Sequence, residues 1–405
     1  MKAEVSAYLR PAASGECRIV DLDLLADGVR VSWNDGHASF FHHVWLRDCC
    51  YCEACGDSYS SKRFFVPGDM PLEPTAREAV IDGDGALAIT WEADGHRSRF
   101  DPAWLRQHCY DERSRQARRA RPTPWDAALE ADLPRVELAS ASRGDAARMD
   151  LYRKLRDFGL VVVHGAPARP GFIRDVAALV GEMGADTSYG EIFDLTPSSR
   201  VRTMGNTFRP VPPHTDEAFR YTPPGLNILG CVRPAKKAGE SVFVDGIQAA
   251  TLLRRSDPDA FSLLSGHAHS YHRRHDDAID QQARMPILSL DDEGCISGIR
   301  LHTRASAPLD LPPDLVPPYY AAYRQICELV MARTNQVHLV LQAGEAVIFD
   351  NHRVLHGRGG FEDSARFLQL CNVSREGFHE RLRLLALRLG LHTEAHQVLG
   401  GGVVT

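Results

Sequence analysis

The stretch PHTDEAF, Pro213 to Phe219, holds an imidazole and a carboxylate, His214 and Asp216, two residues apart. On an extended strand residues i and i+2 share a face, so this spacing predicts a side-by-side pair that a divalent metal can bridge. By itself such a pair is common by chance. A second stretch, VIFDNHRVLHGRGGF, follows a strand-like run and offers His352 and His356. Two histidines and one carboxylate leave coordination positions open, the facial arrangement that suits non-haem Fe(II) and oxygen. Arg366, ten residues past His356 in ARFLQL, adds a planar guanidinium that can clamp a carboxylate at two points. The far end of a 2-oxoglutarate cosubstrate requires such a clamp. His214, Asp216, His356 and Arg366 together are much more specific than the first pair alone.

A different chemistry sits near the start of the chain. Of ten cysteines, four (Cys49, Cys50, Cys52 and Cys55) fall within seven residues, and the other six are scattered. In a chain expected to be cytoplasmic, such a cluster points to metal more than to disulfides.

The elements that must position these groups follow from patterning. Residues 1–108 read as a small β-rich domain, because GVRVSW, AVIDG and LAITWEA are short β-prone runs separated by Asp-Gly turns. DERSRQARRARPTPWD, rich in arginine and proline, reads as a solvated connector within a linker over 109–134. In the remainder, 135–405, DAARMDLYRKLRDFG has the spacing of a helix with Met149, Leu151, Leu155 and Phe158 on one stripe and Gly159 as its stop. LVVVHG then reads as a buried strand, and FIRDVAALVGEMG as a second helix ending at Gly184. LNILGCV, SVFVDG, HLVLQ and EAVIFDN read as strands, and REGFHERLRLLALRLG as an amphipathic helix ended by Gly390. Two helices followed mostly by strands predict an α+β protein whose larger domain is a sandwich or jelly roll buttressed by helices.

The bulk composition is that expected of a soluble globular protein. Hydrophobic residues make up 44% and charged residues 25% of 405, with a formal net charge of −6, which gives no reason to expect nucleic acid as a partner. No apolar run reaches the roughly 18 residues of a membrane span, and the first residues lack the apolar core of a signal peptide. A cytoplasmic location with no membrane partner is the expectation.

Further motifs carry a resemblance. WLRDCCYCEAC (Trp45 to Cys55), PPGLNILGCV, AGESVFVDG and FDNHRVLHGR (Phe349 to Arg358) are similar to segments of the γ-butyrobetaine and trimethyllysine hydroxylases, a branch of the taurine-dioxygenase-like Fe(II)/2-oxoglutarate oxygenases. The similarity spans nearly the whole chain. It implies a double-stranded β-helix (jelly-roll) catalytic domain with flanking helices and a zinc-binding N-terminal domain. It further implies that His214, Asp216 and His356 bind iron, that Arg366 binds 2-oxoglutarate, and that Ser241 offers it a second contact. The family's zinc ligands fall on Cys50, Cys52 and Cys55, with His96 of DGHRSRF as the fourth. A set of three cysteines and one histidine is of the closed, structural kind. Cys49 stands where the family has asparagine and reads as a bystander.

The resemblance also bears on substrate. An aromatic cage for a trimethylammonium group would use Tyr189 and Phe193 of SYGEIF, through cation–π attraction; ordinary core packing is the other reading of both. Other family cage tyrosines correspond to Asn372 and to Asn206, the latter with Phe208 close by. The family's paired asparagines for the substrate carboxylate align with His302 and Thr303, ahead of Arg304. These departures imply a small zwitterion with an altered acid group, a phosphonate being one, in place of γ-butyrobetaine itself. HRRHDD (His272 to Asp277) lines an entrance or is a solvated face. The reaction implied is O2-dependent hydroxylation of an unactivated C–H bond in a small-molecule substrate, by a chain that pairs as a homodimer. Hydroxylation of a related amino acid or aminophosphonate at the same iron centre is one alternative; a zinc-bearing scaffold without activity is another, against which the complete triad and Arg366 argue.

Overall fold

The protein is described by a computed structural model covering residues 17–57, 62–184, 190–197, 206–275, 279–362 and 365–397. Its contacts divide it into two compact units, one formed by residues up to Arg119 with Gly390–Gln397, the other by Ala120–Leu389.

In the first unit the Asp-Gly signals are hairpin turns. Gly36 and Gly85 adopt φ of 79° and 83°, the left-handed region that these turns demand. They join two three-stranded antiparallel sheets, Ile19–Leu24, Gly28–Trp33 and Ala38–His42, and Ala76–Ile81, Leu87–Trp91 and Arg97–Phe100. The inward residues of both sheets meet in one core of Val29, Val31, Trp33, Phe41, Leu87, Ile89, Trp91 and Phe100. Helices His43–Asp48 and Pro102–Gln107 close it with Leu46, Trp104 and Leu105. The two core tryptophans keep their indole N–H groups satisfied, Trp33 on Ser39 and Trp91 on Ser98, each at 2.8 Å.

The stretch expected to be a solvated connector is more ordered than its composition suggests. Glu112–Arg118 is a helix capped by Asp111, and Trp125 is 5% exposed within the core of the second unit. Trp125 is held there by its own backbone N–H, which donates to Asp245, and by its indole, which donates to the Phe158 carbonyl. The buried Arg353–Asp245 pair completes this knot, with Arg353 also donating to the Thr123 and Asp157 carbonyls.

The second unit stacks two sheets. A six-stranded sheet runs in the order Phe193–Leu195, Phe367–Val373, Leu226–Arg233, Ala346–Asp350, Leu160–His164, Arg135–Glu137. A four-stranded sheet runs Val211–His214, Val354–Arg358, Ser241–Asp245, Gln336–Leu339. Leu160, Val162, Leu229, Val347, Phe349 and Leu368 from the first meet Phe243, Val337, Leu339 and Val354 from the second in one apolar layer. Among the described residues no strand pairing joins the two sheets into a closed barrel. The single parallel pair of the large sheet, Arg135–Glu137 beside Leu160–His164, is connected through helices Leu138–Arg143 and Asp145–Phe158. Gly159 ends the latter helix at φ 69°, as its position predicts. Helices Gly246–Ser256, Pro258–Gly266 and Val316–Met331 build a separate apolar cluster around Leu253, Phe261, Tyr319 and Ile326.

One helix boundary differs from expectation. Ile173–Val180 ends at Gly181, not Gly184, because Met183 is already paired in a β-bridge with Val373. A Cβ on Gly181 would lie 2.3 Å from a Val373 methyl, so the chain needs glycine where it leaves the helix for the sheet.

Candidate functional site

His214 and His356 are directly opposed on antiparallel neighbours, Val211–His214 and Val354–Arg358. Opposed residues of a pair carry their side chains on one face, and the two rings stand 4.5 Å apart between centroids. Gly357 permits this, since a Cβ there would come within 2.6 Å of the Val211 carbonyl oxygen. Asp216 reaches the same point by another route than the extended strand expected from sequence. The strand ends at His214 and the chain turns, with Glu217 in the left-handed region at φ 51°. Two asparagines fix the turn. The Asp216 backbone N–H donates to Asn351 Oδ1 at 2.7 Å, and Asn351 Nδ2 donates back to the Asp216 and Pro224 carbonyls. Asn227 Nδ2 donates to Asp216 Oδ2 at 2.9 Å, leaving Oδ1 3.3 Å from His214 Nε2.

Nδ1 of His214 is taken by the Pro212 carbonyl at 3.0 Å, so Nε2 is its free donor atom. His356 Nε2 lies 3.7 Å from Asp216 Oδ2. Two imidazole nitrogens and a carboxylate oxygen thus converge within 4.8 Å of one another. Burial pushes the His356 ring down to about 4, keeping it neutral with a lone pair available. Burial acts to raise the Asp216 carboxyl, but the neighbouring imidazoles outweigh it and hold the group ionised. Two imidazole nitrogens and an anionic carboxylate make the donor set of an open divalent iron site, and this chain's residues fit it. His352, the other histidine of the motif, lies outside this cluster and lines a separate small pocket with Arg375 and Arg300.

A cavity of about 350 Å³ opens on these three residues. Arg366 and Ser241 line it on one side. Arg366 is 4% exposed, has neither hydrogen-bond nor ion-pair partner among the described residues, and is pushed down to about 10 by burial. Its guanidinium stacks over Phe361 at 4.9 Å. A buried, unpaired arginine is costly, and an anionic ligand relieves that cost. Arg358, a residue the sequence reading did not assign, lines the same side and donates to the Thr207 and Arg209 carbonyls.

The substrate candidates divide. Phe193, His302, Arg304 and Asn372 all line the cavity. His302 is oriented by the Thr215 carbonyl at Nδ1, 2.9 Å away, and the Asn372 side-chain oxygen is buried without a partner among the described residues. Asn206 does not line it. Its Nδ2 donates to the Asp194 and Thr196 carbonyls and so braces the end of the strand that carries Phe193. Phe208 is turned away as well, 44% exposed against Phe361. Tyr189 lies outside the described residues. Sequence reasoning missed Phe219, buried in the wall beneath Arg273, and the asparagines at 227 and 351. Asn351 stands inside the FDNHR motif and Asn227 inside PPGLNILGCV, so both were open to notice, although only the fold brings them to Asp216. Of HRRHDD, His272 and Arg273 line the cavity.

In the first unit, Cys50, Cys52, Cys55 and His96 converge. His96 Nε2 lies 3.4, 3.6 and 3.4 Å from the three sulfurs. The cysteines follow helix His43–Asp48, and His96 stands in the turn before Arg97–Phe100, fixed by Asp94 accepting its backbone N–H. Burial pushes the Cys50 thiol up to about 12, so a cation is needed to keep thiolate there at neutral pH. Cys49 is not in the cluster and packs against the apolar core.

Comparison with known proteins gives the chain's family. The family described as "Taurine catabolism dioxygenase TauD, TfdA family" matches residues 118–372, and that described as "Gamma-butyrobetaine hydroxylase-like, N-terminal" matches residues 22–98. A gamma-butyrobetaine dioxygenase of Pseudomonas sp. (strain AK-1) is 33% identical over 365 residues, covering 89% of this chain and 94% of its own. The gamma-butyrobetaine dioxygenase of Homo sapiens is 26% identical over 373 residues, 89% of this chain and 95% of its own. A trimethyllysine dioxygenase of Meyerozyma guilliermondii is 25% identical over 387 residues, 91% of this chain and 96% of its own. Among solved structures, the non-heme iron oxygenase OrfP in complex with Fe and alpha-ketoglutaric acid aligns over 62% of this chain and 85% of its own, at 20% identity and a TM-score of 0.44.

Site and relatives together define a non-haem iron, 2-oxoglutarate-dependent dioxygenase. The chain belongs to the TauD/TfdA dioxygenase family, and its N-terminal part matches the γ-butyrobetaine hydroxylase-like domain. No helix among its described residues is long and apolar enough to cross a membrane.

Proposed function

We propose that His214, Asp216 and His356 hold the iron, that Arg366 and Ser241 hold the far carboxylate of 2-oxoglutarate, and that the cavity takes a small betaine-like zwitterion with a quaternary ammonium end. The observation that carries this reading is Arg366, buried and unpaired among the described residues, lining one cavity with the converging His-Asp-His set. Bound iron supplies the redox chemistry, in which 2-oxoglutarate and O2 give succinate and carbon dioxide while one oxygen atom enters a substrate C–H bond. The chain's residues do the rest. Asn227 holds the Asp216 carboxylate and Asn351 its backbone, which keeps the carboxylate beside the two imidazoles, so the ligand set needs little reorganisation on binding. Leu195, Leu229, Leu370 and Phe219 wall the cavity with side chains that shed water and offer no hydrogen bond to the reacting carbon. Phe193 offers an aromatic ring to the ammonium group, and Arg304, beside His302, takes the acidic end. Which carbon is hydroxylated follows from how these two ends hold the molecule.

A second reading is favoured by the charge at the substrate end. Arg273 and Arg304 both line the cavity, more positive charge than a single carboxylate uses, and a trimethylammonio-alkylphosphonate or related aminophosphonate would engage more of it. Two assays separate the readings. Succinate release from 2-oxoglutarate with ferrous iron is measured across a panel of betaines and phosphonates, and calorimetric titration gives the head-group preference. His214→Ala is expected to abolish succinate release; full activity in that variant would sink the ligand assignment.

Cys50, Cys52, Cys55 and His96 take a structural zinc, a reading supported by their convergence and by a donor set of three sulfurs and one nitrogen. The two stacked sheets read as the jelly roll of this family. A homodimer in the cytoplasm is the assembly and location that the family resemblance supports, and sedimentation velocity on the full chain tests the first.

A further inference from the structure

Three donor groups outside both sites meet on the first unit. His37 stands just past the tip of the hairpin between Gly28–Trp33 and Ala38–His42, where Asp35 accepts its backbone N–H. Cys109 and Asp111 lie some seventy residues on, in the link between helices Pro102–Gln107 and Glu112–Arg118. The two oxygens of Asp111 divide their work. Oδ1 caps the second helix by accepting the Ser114 backbone N–H at 2.7 Å, while Oδ2 is 2.8 Å from His37 Nε2 and 2.8 Å from Cys109 Sγ. Cys109 Sγ and His37 Nε2 are 3.9 Å apart, and the three donors fall within the span that one ion can bridge.

We propose that His37, Cys109 and Asp111 form a second, exchangeable zinc site. The donor set argues for it: a sulfur, an imidazole nitrogen and a carboxylate oxygen are the ligand types zinc accepts, and a mixed set of this kind does not suit calcium or magnesium. Position argues for it too: donors from segments some seventy residues apart converge within 4.8 Å of one another. The Cys109 side chain is fully buried, whereas His37 and Asp111 keep 12% and 33% of theirs exposed. The fourth position therefore faces solvent, and the ion exchanges, unlike one enclosed by four protein donors. On binding, the Cys109 S–H bond breaks, a sulfur–zinc bond forms and the proton leaves to solvent. The ion would staple the hairpin tip to the helical link, tying together segments far apart in sequence.

The test uses the full-length protein equilibrated with Zn(II), freed of loose metal by gel filtration and counted by elemental analysis. Wild type is expected to carry one equivalent more than Asp111→Asn and one more than His37→Ala, whatever the total. Asparagine caps a helix as well as aspartate, so Asp111→Asn keeps the fold while weakening the ligand. With Co(II) in place of zinc, Cys109→Ser is expected to lose part of the thiolate-to-cobalt absorption while the part from the Cys50 cluster persists. Equal zinc counts in wild type and both variants, with unchanged cobalt absorption in Cys109→Ser, would overturn the site and leave the three residues as a hydrogen-bonded triad.

Discussion

The Cys50–Cys52–Cys55–His96 cluster and the His214–Asp216–His356 cluster differ in what surrounds their donors. In the first, four donors face one another, with three sulfurs 3.4 to 3.6 Å from His96 Nε2, and the sequence supplies those three within one short turn. In the second, three donors gather on one side only, and the remaining space is a cavity of about 350 Å³ lined by Arg366, Arg304 and Arg358. A closed set, if it holds zinc as proposed, would stabilise a small unit whose core is two thin sheets; an open set leaves room for cosubstrate and oxygen. The difference lies less in the ligands than in whether a fourth protein donor or a hole completes the sphere.

The strongest way to break this contrast is to remove zinc. Chelation is expected to cost the first unit about 10 kcal/mol and unfold it, seen as lost hydrogen-exchange protection in its two sheets while the strands of the second unit stay protected. Equal protection in both units would show that the cysteine cluster is not a staple. On the open side, Arg366→Ala is expected to raise the KM for 2-oxoglutarate roughly a hundredfold with a smaller change in kcat, because charge-assisted hydrogen bonds of about 1.5 to 3 kcal/mol each are lost. Initial rates at varied 2-oxoglutarate decide this, and an unchanged KM places the cosubstrate elsewhere.

Acid should separate the units by mechanism. In the second unit His269 is buried between Tyr319 and Ser306, and burial pushes it down to about 4. The unfolded chain therefore binds a proton near pH 6.5 that the folded chain refuses until about 4. Stability consequently falls as pH drops through that window, by up to about 3 kcal/mol from this group. Urea titrations of His269→Gln between pH 7 and 4 should show a shallower decline than wild type; identical slopes would assign the acid sensitivity to other groups. The smallest effect expected is at the asparagine brace, where Asn351→Ala should weaken Fe(II) affinity roughly tenfold. Unaltered affinity in a metal-competition assay would reduce Asn351 to a turn-forming residue.

Much of the chemistry was legible because it is written in residue types and local spacing. Cys50, Cys52 and Cys55 need only one turn to converge, and the helix Asp145–Phe158 with its Gly159 stop follows from a 3.6-residue period. Where sequence and structure differ, local spacing was asked for a direction it does not contain. His214 and Asp216 were expected to share the face of a strand, yet they meet because the chain turns after His214. Asn206 was placed in the substrate wall by its offset from His214, but its amide donates to the Asp194 and Thr196 carbonyls instead. The expected connector contains Trp125, whose burial depends on Asp245 and Phe158, partners that no local composition reveals.

By itself, then, the sequence determined the donor sets: which residues can bind iron, which can bind zinc, and that Arg366 carries a charge able to hold a dicarboxylate. Tertiary structure alone decided how those donors are aimed. Asn227 reaches Asp216 because Leu226–Arg233 pairs with both Ala346–Asp350 and Phe367–Val373, and His214 opposes His356 through the register of two strands. A side chain's type sets what it can bind, whereas its direction is set by strand register and by hydrogen bonds such as that between Asp216 and Asn351, 135 positions apart, and that information exists only once the sheets have formed.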